Sequence, residues 1–237
     1  MTGQATLDDH ITIEGHDGAF DAYVAHPRTL PAPAVIILHE VFGVNADIRE
    51  HCDELAGQGF LAVAPDLFWR LEPGVDLSVN SDEDWNHGLR LYQAFDRDAG
   101  ARDAEDTIAA VRTHPDCNGK VALMGYCLGG LMTFLTAARY GADAAVAWHG
   151  GETEKYLDEA DKVTAPLLMH LAGEDEYMPA RAQAAIKAAL GGKPNVTIYT
   201  YPGQGHAFSR HGGDKYNAEA AALANQRTAD FLRQQLC

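Results

Sequence analysis

Ten residues near the middle of the chain constrain the fold more than any others: Val121-Ala122-Leu123-Met124-Gly125-Tyr126-Cys127-Leu128-Gly129-Gly130. A short apolar strand runs into Gly-x-Cys-x-Gly, and a helix of small residues begins directly after it. A turn that sharp needs residues without Cβ where the strand and helix backbones crowd together. It lifts the central side chain above the sheet, at the N-terminus of the following helix. The partial positive charge there favours thiolate over thiol. Four cysteines and 23 glycines in 237 residues give about 0.04 such patterns by chance. The competing reading is an inert cysteine buried at a tight strand–helix corner.

The flanking sequence supplies the sheet that such a turn requires. His10–Glu14 and Phe20–Ala25 alternate with period two around Asp17-Gly18, which predicts an antiparallel hairpin. Pro31-Ala32-Pro33 breaks the chain before Ala34–Leu38, a continuous apolar run of the kind covered on both faces. Phe60–Pro65, Ala144–His149, Pro166–Ala172 and Val196–Tyr201 read as further strands. Helical patterning covers Asn45 or Asp47 to Leu55, Asp82–Phe95, Ala99–Arg112, Leu128–Tyr140, Pro179–Leu190 and Tyr216–Gln235. Asp66–Ser81 reads as an irregular loop at the carboxyl end of the sheet. The alternation predicts an α/β fold: a mostly parallel, doubly wound sheet with an N-terminal antiparallel hairpin and helices on both faces. One domain over residues 1–237 is expected.

Composition excludes several classes of function. A formal charge of −16, from 34 acidic against 18 basic residues, argues against nucleic-acid or anionic-membrane binding. An anionic substrate would be repelled at long range and would need a local arginine. No apolar run reaches the roughly 20 residues that span a bilayer, and the N-terminus lacks a basic region and apolar stretch. A cytoplasmic monomer with free thiols at Cys52, Cys117, Cys127 and Cys237 is therefore expected. His39, His51, His149, His170, His206 and His211 show no HExxH or Cys/His spacing, and no phosphate-binding glycine loop is present. Neither a metal nor a cofactor is expected.

Two later segments complete a reactive set. Pro166–Ala172 runs into Gly173-Glu174-Asp175-Glu176, and Val196–Tyr201 runs into Pro202-Gly203-Gln204-Gly205-His206. Nucleophile, acid, histidine is the chain order of an α/β-hydrolase triad, and strand-end loops at one edge of a parallel sheet meet in one crevice. A free cysteine, with a pKa near 8.5, is mostly thiol at neutral pH and needs a base. His206 can take that proton, and Asp175 can orient the imidazole and stabilise its charge. The competing readings are a solvated turn acid and a surface histidine. Glu40 leaves the strand Val35–Leu38 beside the same crevice. The residues alone leave it balanced between a gate or auxiliary base and a solvated charge.

Taken together, several motifs resemble those of the dienelactone hydrolase family across nearly the whole chain. They are Leu38-His39-Glu40-Val41-Phe42-Gly43-Val44-Asn45, Pro65-Asp66-Leu67-Phe68, Tyr92-Gln93-Ala94-Phe95-Asp96, Gly125-Tyr126-Cys127-Leu128-Gly129-Gly130, Gly173-Glu174-Asp175 and Gly205-His206-Ala207-Phe208. The resemblance implies a Cys127, Asp175 and His206 triad, with Glu40 holding the resting thiol and taking its proton when substrate enters. It implies an oxyanion hole made by the N–H groups of Leu128 and Val41. The implied reaction opens an unsaturated enol-lactone bearing a carboxylate, giving maleylacetate, without a cofactor.

The departures from that pattern bear on the substrate. Of two family arginines that hold the substrate carboxylate, one matches Arg210 and the other falls at Trp85. His39 and His149 occupy pocket positions where other members carry different polar side chains, and Phe42 is expected to line the same pocket. Arg70 and Arg90 are candidate substitutes or plain surface charges. Two alternatives follow: a carboxylesterase or thioesterase of neutral esters on the same triad, and a non-catalytic redox-sensing or ligand-binding domain.

Overall fold

The computed structural model describes residues 9–237, so residues 1–8, most of the stretch read for a leader, lie outside the described residues. Strands β1 (His10–Gly15) and β2 (Gly18–Ala25) form the expected antiparallel hairpin. Strand β2 continues antiparallel onto β4 (Leu61–Pro65). From β4 onward the pairing is parallel, through β3 (Ala32–Leu38), β5 (Cys117–Tyr126), β6 (Ala144–Trp148), β7 (Leu167–Ala172) and β8 (Val196–Tyr201). The order is β1-β2-β4-β3-β5-β6-β7-β8. Winding reverses between β3 and β5, and that is where an open parallel sheet leaves a crevice at its carboxyl edge.

The inner strands are apolar throughout because both faces are covered. On β3, Ile36 and Leu38 face one core layer, while Val35 and Ile37 face the other. The first layer packs under α2 (Asp82–Ala94), α3 (Arg97–Thr113), α4 (Leu128–Arg139) and α5 (Ala180–Leu190). The second packs under α1 (Ala46–Gly57) and α6 (Ala218–Leu236). Each fully buried Leu or Ile contributes roughly 1.5–3 kcal/mol. Side chains of Asn45, Ser81, Asp96 and Asn217 cap α1, α2, α3 and α6 by accepting first-turn N–H groups.

The sequence boundaries differ from these by a few residues. Strand β3 begins at Ala32 and includes Pro33, whose missing N–H costs no ladder bond where the register shifts between Ala32 and Ala34. A 3-10 helix over Thr153–Lys162, kinked at Tyr156, has no 3.6-residue repeat by which to predict it. His170 sits in the second layer between the Tyr201 hydroxyl (2.8 Å) and Thr228 Oγ1 (2.9 Å), and burial pushes its pKa down to about 3. No helix among the described residues is long and apolar enough to cross a membrane.

Candidate active site

The turn between β5 and α4 is as tight as its glycines imply. A Cβ at Gly125 would lie 2.1 Å from the Gly129 carbonyl oxygen, and one at Gly129 would lie 1.8 Å from that of Leu38. Between them Cys127 adopts φ 52° and ψ −113°, a conformation L residues avoid at a cost of roughly 1–3 kcal/mol. Two main-chain bonds hold it there: Cys127 N–H donates to Trp148 O (3.1 Å), and Leu131 N–H donates to Cys127 O (3.1 Å). Helix α4 has no side-chain cap, so the first-turn N–H of Leu128 has no partner within its helix.

Strand ends β7 and β8 deliver the other two members of the set. Asp175, buried, accepts N–H groups of Tyr177 (2.8 Å) and Met178 (3.0 Å), which fix its carboxylate in the turn. His206 Nδ1 lies 2.9 Å from both Asp175 oxygens, and its Nε2 is buried without an ordinary hydrogen bond. Burial opposes the imidazolium, but the Cys127 sulfur and Asp175 outweigh it and raise His206 to about 10. Both residues thus leave the bland readings behind: neither is a solvated surface group.

Cys127 and His206 meet at a cavity of about 410 Å³, walled by Val41, Trp85, Leu128 and Arg210 from the residues singled out in sequence. Leu89, Tyr92, Gln93, Gly151, Glu152 and Tyr177 complete the lining, and sequence reasoning missed these as site residues. Tyr92 and Gln93 lie in the Tyr-Gln-Ala-Phe-Asp motif, Glu152 follows a glycine pair after β6, and Tyr177 is two residues past Asp175. Glu152 has a left-handed backbone (φ 70°), and its carboxylate accepts from Arg97 (3.1 Å) and Lys155 (2.5 Å). Among the described residues the non-glycines with positive φ are Cys127, His149, Glu152 and Ala207. All four lie in this wall or next to it, the clustering of backbone strain expected of a functional site.

Three expectations need correction, and Glu40 gains a partner that the sequence did not show. Glu40 is buried, but its partner is Arg210, whose Nε (3.0 Å) and Nη2 both donate to Oε2. The acid assigned to the thiol and the base assigned to a substrate therefore hold each other. His39 does not line the cavity: Leu67 N–H donates to its Nε2 (3.0 Å) and its Nδ1–H donates to the Glu40 carbonyl (2.6 Å). Burial pushes its pKa down, and it acts as a neutral strut between two loops. His149 is also fully buried and packs behind His206 at 4.5 Å between ring centres. Its pKa falls well below the usual value, through burial first and then through His206 and Arg210. Phe42 lies beneath the cavity wall, under the Arg210 guanidinium at 5.0 Å and against Trp85 at 5.7 Å. The proposed substitutes also lie elsewhere: Arg70 is bound to Asp17 and Asp103, and Arg90 is exposed on α2.

A parallel sheet with helices on both faces and a strained strand-to-helix turn at its carboxyl edge makes this an α/β-hydrolase. The profile of the dienelactone hydrolase family matches residues 20–236. A carboxymethylenebutenolidase of Pseudomonas putida is 42% identical over 227 residues, covering 95% of this chain and 96% of that one. Carboxymethylenebutenolidase 1 of Cupriavidus pinatubonensis is 36% identical over 227 residues, covering 95% and 97%. The crystal structure of a putative dienelactone hydrolase from Klebsiella pneumoniae superposes with a TM-score of 0.85 at 26% identity, covering 95% of this chain and 97% of that one. The chain belongs to the dienelactone hydrolase family and is a carboxylic-ester hydrolase.

Proposed function

We propose that the chain opens a small enol-lactone or activated ester by nucleophilic catalysis at Cys127, as a single-domain monomer in the cytoplasm. The observation carrying this reading is the pairing of His206 with Asp175 at 2.9 Å, next to a partly exposed cysteine on a strained turn. The thiolate attacks the carbonyl, and the oxyanion is taken up by the N–H groups of Leu128 and Val41. The carbon–oxygen bond breaks as the imidazolium of His206 protonates the leaving oxygen. Water, deprotonated by His206, then cleaves the acyl-thioester and frees the thiolate. Four free cysteines suit a reducing compartment.

Substrate class turns on Arg210. In a chain of charge −16 it is the cation of the cavity wall, and Glu40 neutralises it at rest. A substrate carboxylate that takes Arg210 releases Glu40 to act as a base near the thiol, which would tie activation to arrival of an anionic lactone. Trp85 favours a second reading, a neutral ester, because it presents an indole where a second cation would help.

Steady-state kinetics on dienelactones and p-nitrophenyl acetate separate the two. Arg210→Ala removes a charged hydrogen bond of about 1.5–3 kcal/mol, so KM for a dienelactone is expected to rise roughly 10- to 150-fold, with little change for the acetate. Equal effects on both would leave Arg210 with a positioning role through Glu40. Trp85→Arg is expected to lower the KM of the dienelactone alone.

The pH profile offers a separate check. Protonation of the leaving oxygen needs an imidazolium at His206, so kcat/KM is expected to hold through neutral pH and to fall as pH passes about 10. Asp175 is one of the groups raising that pKa, so Asp175→Asn should move the alkaline limb to lower pH besides slowing turnover. An unmoved limb would mean that His206 is not the titrating group.

A further inference from the structure

One residue past Arg210, loop residue His211 leans onto helix α1. There Asp47, His51 and Glu54 stand four and three residues apart and share one helix face. One donor atom each from Asp47, His51 and His211 lie within 4.8 Å of one another. Asp47 Oδ1 is 2.9 Å from His211 Nδ1 and 3.7 Å from His51 Nε2. Ligand bonds of 2.0–2.2 Å place neighbouring ligands of a tetrahedral zinc about 3.3 Å apart, between those two values. His51 is 2% exposed, and its Nε2 is buried without a hydrogen bond although it points at this centre.

The outer contacts orient both rings for a metal. Glu54 lies 3.4 Å from His51 Nδ1 and 3.5 Å from His211 Nε2. A carboxylate there holds a proton on each far nitrogen and leaves the lone pairs of His51 Nε2 and His211 Nδ1 facing Asp47, the usual outer support of metal-bound histidine. A surface hollow of about 560 Å³, lined in part by Asp47, Glu50 and His211, gives the centre a way in from solvent. Asp47, Glu50 and Glu54 surround the two imidazoles with carboxylates, whose charge a divalent cation would balance.

We propose that Asp47, His51 and His211 form a binding site for a divalent transition metal such as zinc, with Glu54 as its outer support. The ligands come from a helix and from a loop 160 residues later, so no short motif betrays them. Bound metal would tie the loop carrying His206 and Arg210 to α1.

Zinc titration by calorimetry in mildly alkaline buffer tests this. It uses chelator-treated Cys127→Ser protein, because the cavity thiol is itself a zinc ligand. One zinc per chain with micromolar or tighter Kd is expected, weakened at least about 100-fold by His211→Gln or His51→Gln and 10- to 100-fold by Glu54→Gln. His211 is partly exposed, so its variant should keep the fold, shown by an unchanged circular dichroism spectrum. Zinc should raise the Tm of the parent and leave that of His211→Gln unmoved. No uptake, or uptake of parental strength in the folded His211→Gln protein, overturns the site and leaves an ion-pair cluster only.

Discussion

Cys127→Ala is expected to lower kcat/KM by roughly 10⁴- to 10⁶-fold while leaving the unfolding transition within about 0.5 kcal/mol of the parent. The two halves of that result are argued separately. Loss of the sulfur removes the atom that bonds to carbon, and the Asp175–His206 pair that remains has only water to activate. Stability is preserved because alanine keeps the Cβ that already tolerates φ 52°, and Cys127 is only partly buried, so no cavity opens in either core layer. Cys127→Ser should retain a trace, since a hydroxyl is far harder to ionise than a thiol. Cys127→Gly should match alanine in rate and be no less stable, because glycine adopts positive φ without strain. Turnover by the alanine variant within 100-fold of the parent would remove Cys127 from the chemistry. A mass increment of one acyl group on Cys127, trapped at low pH with slow esters, would place it there.

How much of this was legible in the sequence depended on whether a residue's role is set locally. Cys127, Asp175 and His206 were readable because each sits on a turn directly after an apolar strand, and parallel strands send those turns to one rim. The paired glycines carried the same information: Gly125 and Gly129 are required by contacts within eight residues or with the neighbouring strand. Side-chain direction was not legible. His39 and His149 follow strand ends as Glu40 and Glu152 do, yet the histidines turn into the core and the acids turn toward the cavity or its wall. Pairings across long separations were invisible. Glu40 with Arg210 joins residues 170 apart, and that one contact converts two independent assignments into a single ion pair. The Asp47–His51–His211 centre is a second case, in which helix spacing is visible but the loop that completes it is not.

Gly129→Ala tests the turn itself and is expected to have the largest effect on stability of any single methyl in this chain's helices. The added Cβ would lie 1.8 Å from Leu38 O, 2.4 Å from Leu38 C and 2.9 Å from His39 O. None of these atoms can swing aside, because Leu38 is paired in register with Gly125 at the centre of the sheet. Helix α4, buried from Leu128 to Ala138, would have to back away from β3 by over an ångström. Overpacking of that kind costs about 1–3 kcal/mol and occasionally more. Here the clash is with main chain, so we expect at least about 3 kcal/mol, against a total stability of roughly 5–15 kcal/mol for a domain. Protein that still folds should turn over at least about 10²-fold more slowly, since the same displacement moves Leu128 N–H and Cys127 together. Gly57→Ala is the matched control: it ends helix α1 with open space where a Cβ would stand, so the same methyl should stabilise by about 0.4–1 kcal/mol. Denaturant unfolding of the two variants reads the difference directly. A Gly129→Ala protein less than 1 kcal/mol below the parent would mean that the strand-to-helix turn is not held by this contact, and Cys127 would then owe its backbone conformation to something other than the crowding of β3 and α4.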